Sequence, residues 1–263
     1  MKAGALRPRL LHTLTALAVS CVCASLPASA QAAQTLTIHA AFGPDRLGAP
    51  TNLSALGEFH SAEATGVPSP LSEVVVYLPD GLIIDMNGTG ICARAALQAG
   101  GPTACPVDSR IGFGGGTGSL QLGAEVVHET YTVDLFLGSR ESGHLELLAF
   151  LQASSPVNLE LVMAAKQVAA PSPYGLGFAL EVPPITTIPD ASNASLESIF
   201  LTIGDSNIAY YRHVHGRYKL EHIRGIVVPT TCPSGGFPFE ALVSFEDGTS
   251  LTSAGSIPCP EGR

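Results

Sequence analysis

Apolar side chains recur at every second position along most of this chain. Thr35-Leu36-Thr37-Ile38-His39-Ala40 alternates; Val74, Val76 and Leu78 share one parity, as do Val133, Leu135 and Leu137. The pattern returns at Leu145, Leu147, Ala149 and Leu151, at Leu159, Leu161 and Met163, and at Leu176, Phe178, Leu180 and Val182. It closes with Ile199, Leu201 and Ile203, then Phe239, Ala241, Val243 and Phe245. Successive side chains of a strand point to opposite faces, so each run offers one apolar face to a core and one polar face to water. A chain written this way is a set of short strands.

Turn chemistry separates the runs. Pro79-Asp80-Gly81, Asn87-Gly88 and Asp247-Gly248 fall between them, the last with the composition of a two-residue hairpin. Only Ala93 to Ala99, stopped by Gly100-Gly101-Pro102, has a helical composition, and it is about two turns long. With 28 glycines and 20 prolines, the chain is expected to be all-β: an antiparallel β-sandwich, Ig-like or jelly-roll-like, with one short helix. Residues 31–263 are expected to form a single large domain. The proline-rich stretch from Pro171 to Pro189 is the best internal boundary, but it contains Leu176 to Val182 and is better read as an edge strand.

The beginning of the chain sets an expected compartment. Lys2, Arg7 and Arg9 precede an apolar run from Leu10 to Leu26, and Ala28-Ser29-Ala30 supplies small residues for cleavage. This order is that of a secretory signal peptide over residues 1–30, with cleavage after Ala30, Ala32 or Ala33. Leu17-Ala18-Val19-Ser20-Cys21 resembles a bacterial lipobox, but Ala18 stands where leucine belongs. No later segment reaches about 18 uninterrupted apolar residues, so no transmembrane segment is expected in the mature chain. The expected location is secreted or extracytoplasmic, the cell surface included.

Beyond the leader, 22 acidic residues face ten basic ones, a net charge of −12. Such a surface repels nucleic acid, and none is expected as a partner. Cys21 and Cys23 leave with the leader. Cys92, Cys105, Cys232 and Cys259 remain, an even number in an oxidising compartment, which favours two disulfides over zinc or redox chemistry. Of three connectivities, Cys92 with Cys105 and Cys232 with Cys259 is preferred, because each closes a short local loop worth about 3–4 kcal/mol of chain entropy.

One stretch resembles a known group. Leu78-Pro79-Asp80-Gly81 ends a strand; Cys92 and an alanine-rich turn follow; then comes Cys105-Pro106-Val107-Asp108-Ser109-Arg110-Ile111-Gly112. This order resembles a group of secreted β-rich proteins of actinobacteria and related soil bacteria. Val228-Pro229-Thr230-Thr231-Cys232-Pro233 and Phe245-Glu246-Asp247-Gly248 are similar to that group's last hairpin. The resemblance implies a secreted β-rich protein and brings no activity or cofactor with it. A bacterial origin would make the sequons at Asn52, Asn87 and Asn193 irrelevant to glycosylation.

Three constellations have the residue types for chemistry. Gly112-Phe113-Gly114-Gly115-Gly116-Thr117-Gly118 has the look of a phosphate cradle, yet no lysine follows and no helix begins there, so it reads as a glycine-rich strand or bulge against neighbouring backbone. Gly204-Asp205-Ser206-Asn207 resembles the nucleophile turn of GDS-type esterases, with His213 or His222 as base, but it stands late in an all-β chain and reads as a turn. The third is Tyr210 to Lys219. With Arg224 it gathers four of the ten basic residues beyond the leader and, with His222, three of the seven histidines.

On one uninterrupted strand, Tyr211, His213, His215, Arg217 and Lys219 would share a face. His213 and His215 fall short of a metal site, with only Asp205 or Glu221 as a further ligand and cations beside them. Tyr211, Arg212, His213, His215, Arg217, Tyr218 and Lys219 are therefore the candidate binding residues, and an anionic or polar ligand or partner is their expected use. The absence of tryptophan weakens a carbohydrate platform, and no Gly-x-Ser-x-Gly or His-Glu-x-x-His is present. Carboxylate pairs such as Glu246-Asp247 sit at turns. The sequence thus points to a structural or binding role at the cell envelope, with an envelope component or a protein as partner, no catalytic residue, no metal and no cofactor. The competing reading is a secreted hydrolase using Ser206.

Overall fold

A computed structural model describes Met1 and residues 34–260, apart from residues 86–87, 141–142, 188, 190, 205–208 and 223–224. The chain divides into two compact units, Met1–Gln31 and Ala32–Arg263. The leader expected at residues 1–30 lies, Met1 aside, outside the described residues, and the second unit is described by itself below.

That unit is built from strands: β1 (Gln34–Gly43), β2 (Pro50–Ser61), β3 (Leu71–Pro79), β4 (Ile83–Asp85), β5 (Arg110–Leu122), β6 (Glu125–Leu137), β7 (Glu146–Ala153) and β8 (Leu159–Val168). They continue with β9 (Tyr174–Glu181), β10 (Ser195–Gly204), β11 (Ala209–Val214), β12 (Arg217–His222), β13 (Gly225–Val227), β14 (Phe237–Phe245) and β15 (Ser250–Ile257). One α-helix, α1 (Arg94–Gly100), stands where the alanine run predicts it. Thirteen strands form one antiparallel sheet in the order β15, β14, β3, β9, β8, β7, β6, β5, β10, β2, β13, β4, with β1 also paired to β2. From β5 to β9 it is a simple meander.

The long sheet curls until its ends meet, which gives the all-β, sandwich-like layout. Gln34 of β1 donates from Nε2 to Asp247 Oδ2 (3.3 Å) and Thr249 Oγ1 (3.2 Å) beside β15, and its Oε1 accepts from the Ser69 amide (2.8 Å). Closure hides the apolar faces from water. Phe42, Leu53, Ile111, Val133, Leu135, Leu147, Phe178, Phe237 and Phe239 form one buried cluster drawn from both halves of the sheet. Each such side chain contributes about 1.5–3 kcal/mol when fully buried. Near the seam, Leu36 packs against Phe59, Leu71, Val243 and Phe245.

Strand β7 is apolar on both faces because both are covered. Leu147 faces the main core, while Leu148 and Phe150 lie on the outer face beneath α1, packed with Leu97, Cys92, Phe136 and Val162. The helix has no side-chain N-cap, and its seven residues could not hold a helix in water alone. It is held by Leu97, by the Cys92–Cys105 disulfide and by the Cys92 amide donating to Leu137 O (2.9 Å). The second disulfide joins Cys232 to Cys259, so the local pairing expected from the sequence is the one found. The Cys-Pro-x-x-Ser-x-Ile-Gly stretch also has a packing explanation. Ser109 is fully buried and donates from Oγ to Pro106 O (2.6 Å), and Ile111 enters the main core.

The glycine run is a strand, as its missing lysine and helix imply. β5 lies between β6 and β10, with one register shift against β6 between Arg110 and Gly112 and another against β10 between Leu196 and Ser198. Its neighbours approach so closely that side chains have no room. A Cβ on Gly112 would lie 2.5 Å from Thr202 O and one on Gly115 2.6 Å from Tyr131 O, while Gly114 and Gly116 face the Phe200 and Ser198 carbonyls more closely still. No phosphate cradle exists here.

Two expectations need correction. β9 pairs with β3 on one side and β8 on the other, so it is an interior strand and not an edge. The prolines at 171, 173, 183 and 184 flank the strand and never enter its ladder, which is why they tolerate a central position. The Asp247-Gly248 hairpin has a longer loop than two residues: Phe245 O accepts from the Gly248 amide (3.1 Å), the Phe245 amide donates to Thr249 O (3.0 Å), and Gly248 takes φ +82°. That is a type I turn followed by a glycine bulge.

Candidate functional site

Strands β11 and β12 pair only with each other, as a two-stranded ribbon separate from the sheet. Val214 opposes Arg217, leaving His215 and Gly216 as a two-residue turn with φ of +48° and +79°. Positive φ at both central residues is the type I′ geometry that matches strand twist. Gly216 adopts it freely; His215 does so as the only non-glycine with positive φ among the described residues.

The turn overturns the single-face expectation. The segment is a hairpin and not one strand, so side chains opposite each other in the ladder share a face. Arg212 with Lys219, Val214 with Arg217 and Tyr210 with Glu221 occupy one face; Tyr211 with Leu220, His213 with Tyr218 and Ala209 with His222 occupy the other. Cations therefore gather on one side, with the buried Tyr210, and the exposed aromatic rings on the opposite side. His215 belongs to neither, being the turn itself.

One side chain anchors the ribbon and another ties it down. Tyr210 is buried in the main core. Arg212 donates from Nη2 to Gly88 O (2.7 Å) and to the Tyr210 hydroxyl (3.1 Å), with its guanidinium 5.7 Å from the Tyr210 ring centre. Of the candidate cations, Arg212 is thus largely structural. Apart from these two side chains the ribbon is largely open to solvent: Tyr211 is 69% exposed, Tyr218 76% and Leu220 48%. The His213 and Tyr218 rings lie 5.1 Å apart at 58°. Lys219 Nζ sits 2.9 Å from Glu221 Oε1, and the hydrogen bond from that ammonium is the main cause holding the Glu221 carboxyl below its ordinary pKa. Arg217 has no carboxylate in ion-pair reach among the described residues.

The ribbon reverses the local charge. Residues 209–222 carry Arg212, Arg217 and Lys219 against Glu221, a net of +2, whereas the rest of residues 31–263 sums to −14. Sequence reasoning found the cations and rings but missed Tyr210 as the buried anchor, Leu220 as an exposed apolar neighbour of the rings, and Val214 as an exposed apolar residue on the cation face. The signal for all three was the His-Gly pair midway, which fixes the register.

Asp205, Ser206 and Arg224 lie outside the described residues. His213 and His222, the two candidate bases, stand on one face but at opposite ends of the ribbon, about 14 Å apart by strand rise. Among the described residues, no three His, Cys, Asp or Glu side chains gather closely enough to hold a metal ion.

Fold and site together define a class: an antiparallel, disulfide-stapled β protein that extrudes a basic-aromatic ribbon. No model of a known protein family matches the chain, and neither a curated protein nor a solved structure does.

Proposed function

We propose that this protein is an extracytoplasmic binding module that docks on an anionic component of the cell envelope through the ribbon β11–β12. The observation that carries the reading is the reversal of charge: a net +2 on the fourteen residues 209–222 against −14 on the remainder of residues 31–263. A field of that shape admits an anionic partner at one place and turns it away elsewhere. Two disulfides suit an oxidising compartment, and no helix among the described residues is long and apolar enough to cross a membrane.

The test is co-sedimentation with envelope preparations across a salt series, using the full chain. Arg217 and Lys219 are the residues to change, since Arg212 holds the ribbon to Gly88. Each cation near an anionic surface is worth about 1 kcal/mol, so Arg217→Ala with Lys219→Ala is expected to weaken binding on the order of thirtyfold. Rising salt is expected to weaken the wild type steadily. Binding indifferent to salt and to both substitutions would refute the reading.

A further inference from the structure

The division of chemistry between the two faces of the ribbon bears on what it can hold. An anionic polymer lying along a ribbon touches one face. Here Arg217 and Lys219 are on one face and Tyr211, Tyr218 and Leu220 on the other, so a single strand of polymer could not use both. A layered interface is different, because a ribbon entering it tip first wets both faces at once. We propose that the tip of the ribbon enters the headgroup layer of an anionic lipid bilayer. The inference rests on the docking role proposed above and names its ligand.

The composition of the tip fits that environment. Tyrosine presents an apolar ring and a polar hydroxyl, the combination favoured at the boundary between headgroups and acyl chains. Tyr218 and Tyr211 are both more than two-thirds exposed, with Leu220 (48%) on their face and Val214 (37%) next to the turn on the other. These are the exposed apolar groups that a core-seeking sequence would not place together on a free ribbon. Arg217 and Lys219, reaching along the other face, meet the phosphates.

Length agrees as well. The last tie to the body is Arg212 on Gly88, and beyond it stand the pairs His213–Tyr218 and Val214–Arg217 and the turn. At strand rise that is about 10 Å of free ribbon, comparable with the roughly 5–10 Å to which interfacial elements sink. Both outer edges of a two-stranded ribbon leave amides and carbonyls unpaired, which bars it from the hydrocarbon and keeps it among headgroups and water. The acidic body is repelled by the same surface over about one Debye length, roughly 8–10 Å, so the ribbon is presented and the sheet is held off.

The chain contains no tryptophan, so Tyr218→Trp creates a lone indole at the tip. Its emission is read with vesicles of phosphatidylcholine mixed with phosphatidylglycerol, with vesicles of phosphatidylcholine alone, and with soluble polyphosphate. A blue shift with the anionic vesicles only, quenched by brominated acyl chains and lost as salt rises, is the expected result. In the same background, Tyr211→Ala with Leu220→Ala is expected to weaken vesicle binding at least fivefold while leaving the thermal unfolding curve of the sheet in place. Binding to polyphosphate without binding to vesicles would overturn the lipid proposal and leave anionic docking standing. Vesicle binding without a blue shift, unaffected by the apolar substitutions, would mean charge adsorption only and would also overturn it. Binding to none of the three, with envelope preparations equally unbound, would overturn both readings.

Discussion

Strand β5 and the ribbon β11–β12 are both antiparallel hydrogen-bonded structures, and they sit at opposite extremes of packing. β5 is gripped on both sides so tightly that Gly112, Gly114, Gly115 and Gly116 have no space for a methyl group. The ribbon has no third strand, and beyond Tyr210 and Arg212 its side chains meet mostly water. The first arrangement tolerates no change and carries stability. The second tolerates change and carries chemistry: its exposed rings and cations contribute nothing to the core, so stability does not account for their presence.

The comparison can be broken at either end. The largest effect is expected from Gly116→Val, whose side chain would collide with the Ser198 carbonyl and the Tyr131 hydroxyl. A loss on the order of 4 kcal/mol or more, seen as a collapsed urea midpoint or failure to accumulate folded protein, follows from overpacking against backbone. Next is removal of the Cys92–Cys105 bond by paired alanine substitution. Its loop of 13 residues predicts a loss of about 3 kcal/mol in denaturant unfolding, with α1 the first element to loosen from β7. The smallest is His215→Asn. Asparagine takes the left-handed first turn position more readily, so slower amide exchange within residues 209–222, equivalent to about 1 kcal/mol or less, is expected without any shift in global melting temperature. If His215→Asn raised the global melting temperature, the ribbon would be part of the cooperative body and the contrast would fail.

Much of the body was legible because its strands alternate large apolar and polar residues. The alternation weakens in the middle of β2 and β15, where the inward positions Gly57 and Gly255 are small for a packing reason. A Cβ on Gly57 would press on Ile199 at 3.3 Å, and the site of one on Gly255 is occupied by the Phe239 ring at 2.5 Å. Large residues on one strand demand small ones opposite, and a single sequence does not say which strands will be opposite. The interior place of β9 was hidden for the same reason: neighbours, not local pattern, decide what is an edge. At the ribbon, composition announced the site, but its geometry turned on two residues. His-Gly is a weaker hairpin signal than Asn-Gly, and reading through it as one strand put cations and rings on the same side. That single register decision separates a flat ligand platform from a tip with two different faces.

The claim that recognition resides in a marginally held ribbon on a rigid body is tested most directly by amide hydrogen exchange of the intact chain, alone and with anionic vesicles. Residues 209–222 are expected to exchange rapidly when free and to be protected by vesicles, while β5 to β9 remain slow and unchanged in both. A free ribbon as protected as β5, or vesicle protection falling on the outer faces of the sheet with the ribbon unaffected, would contradict it.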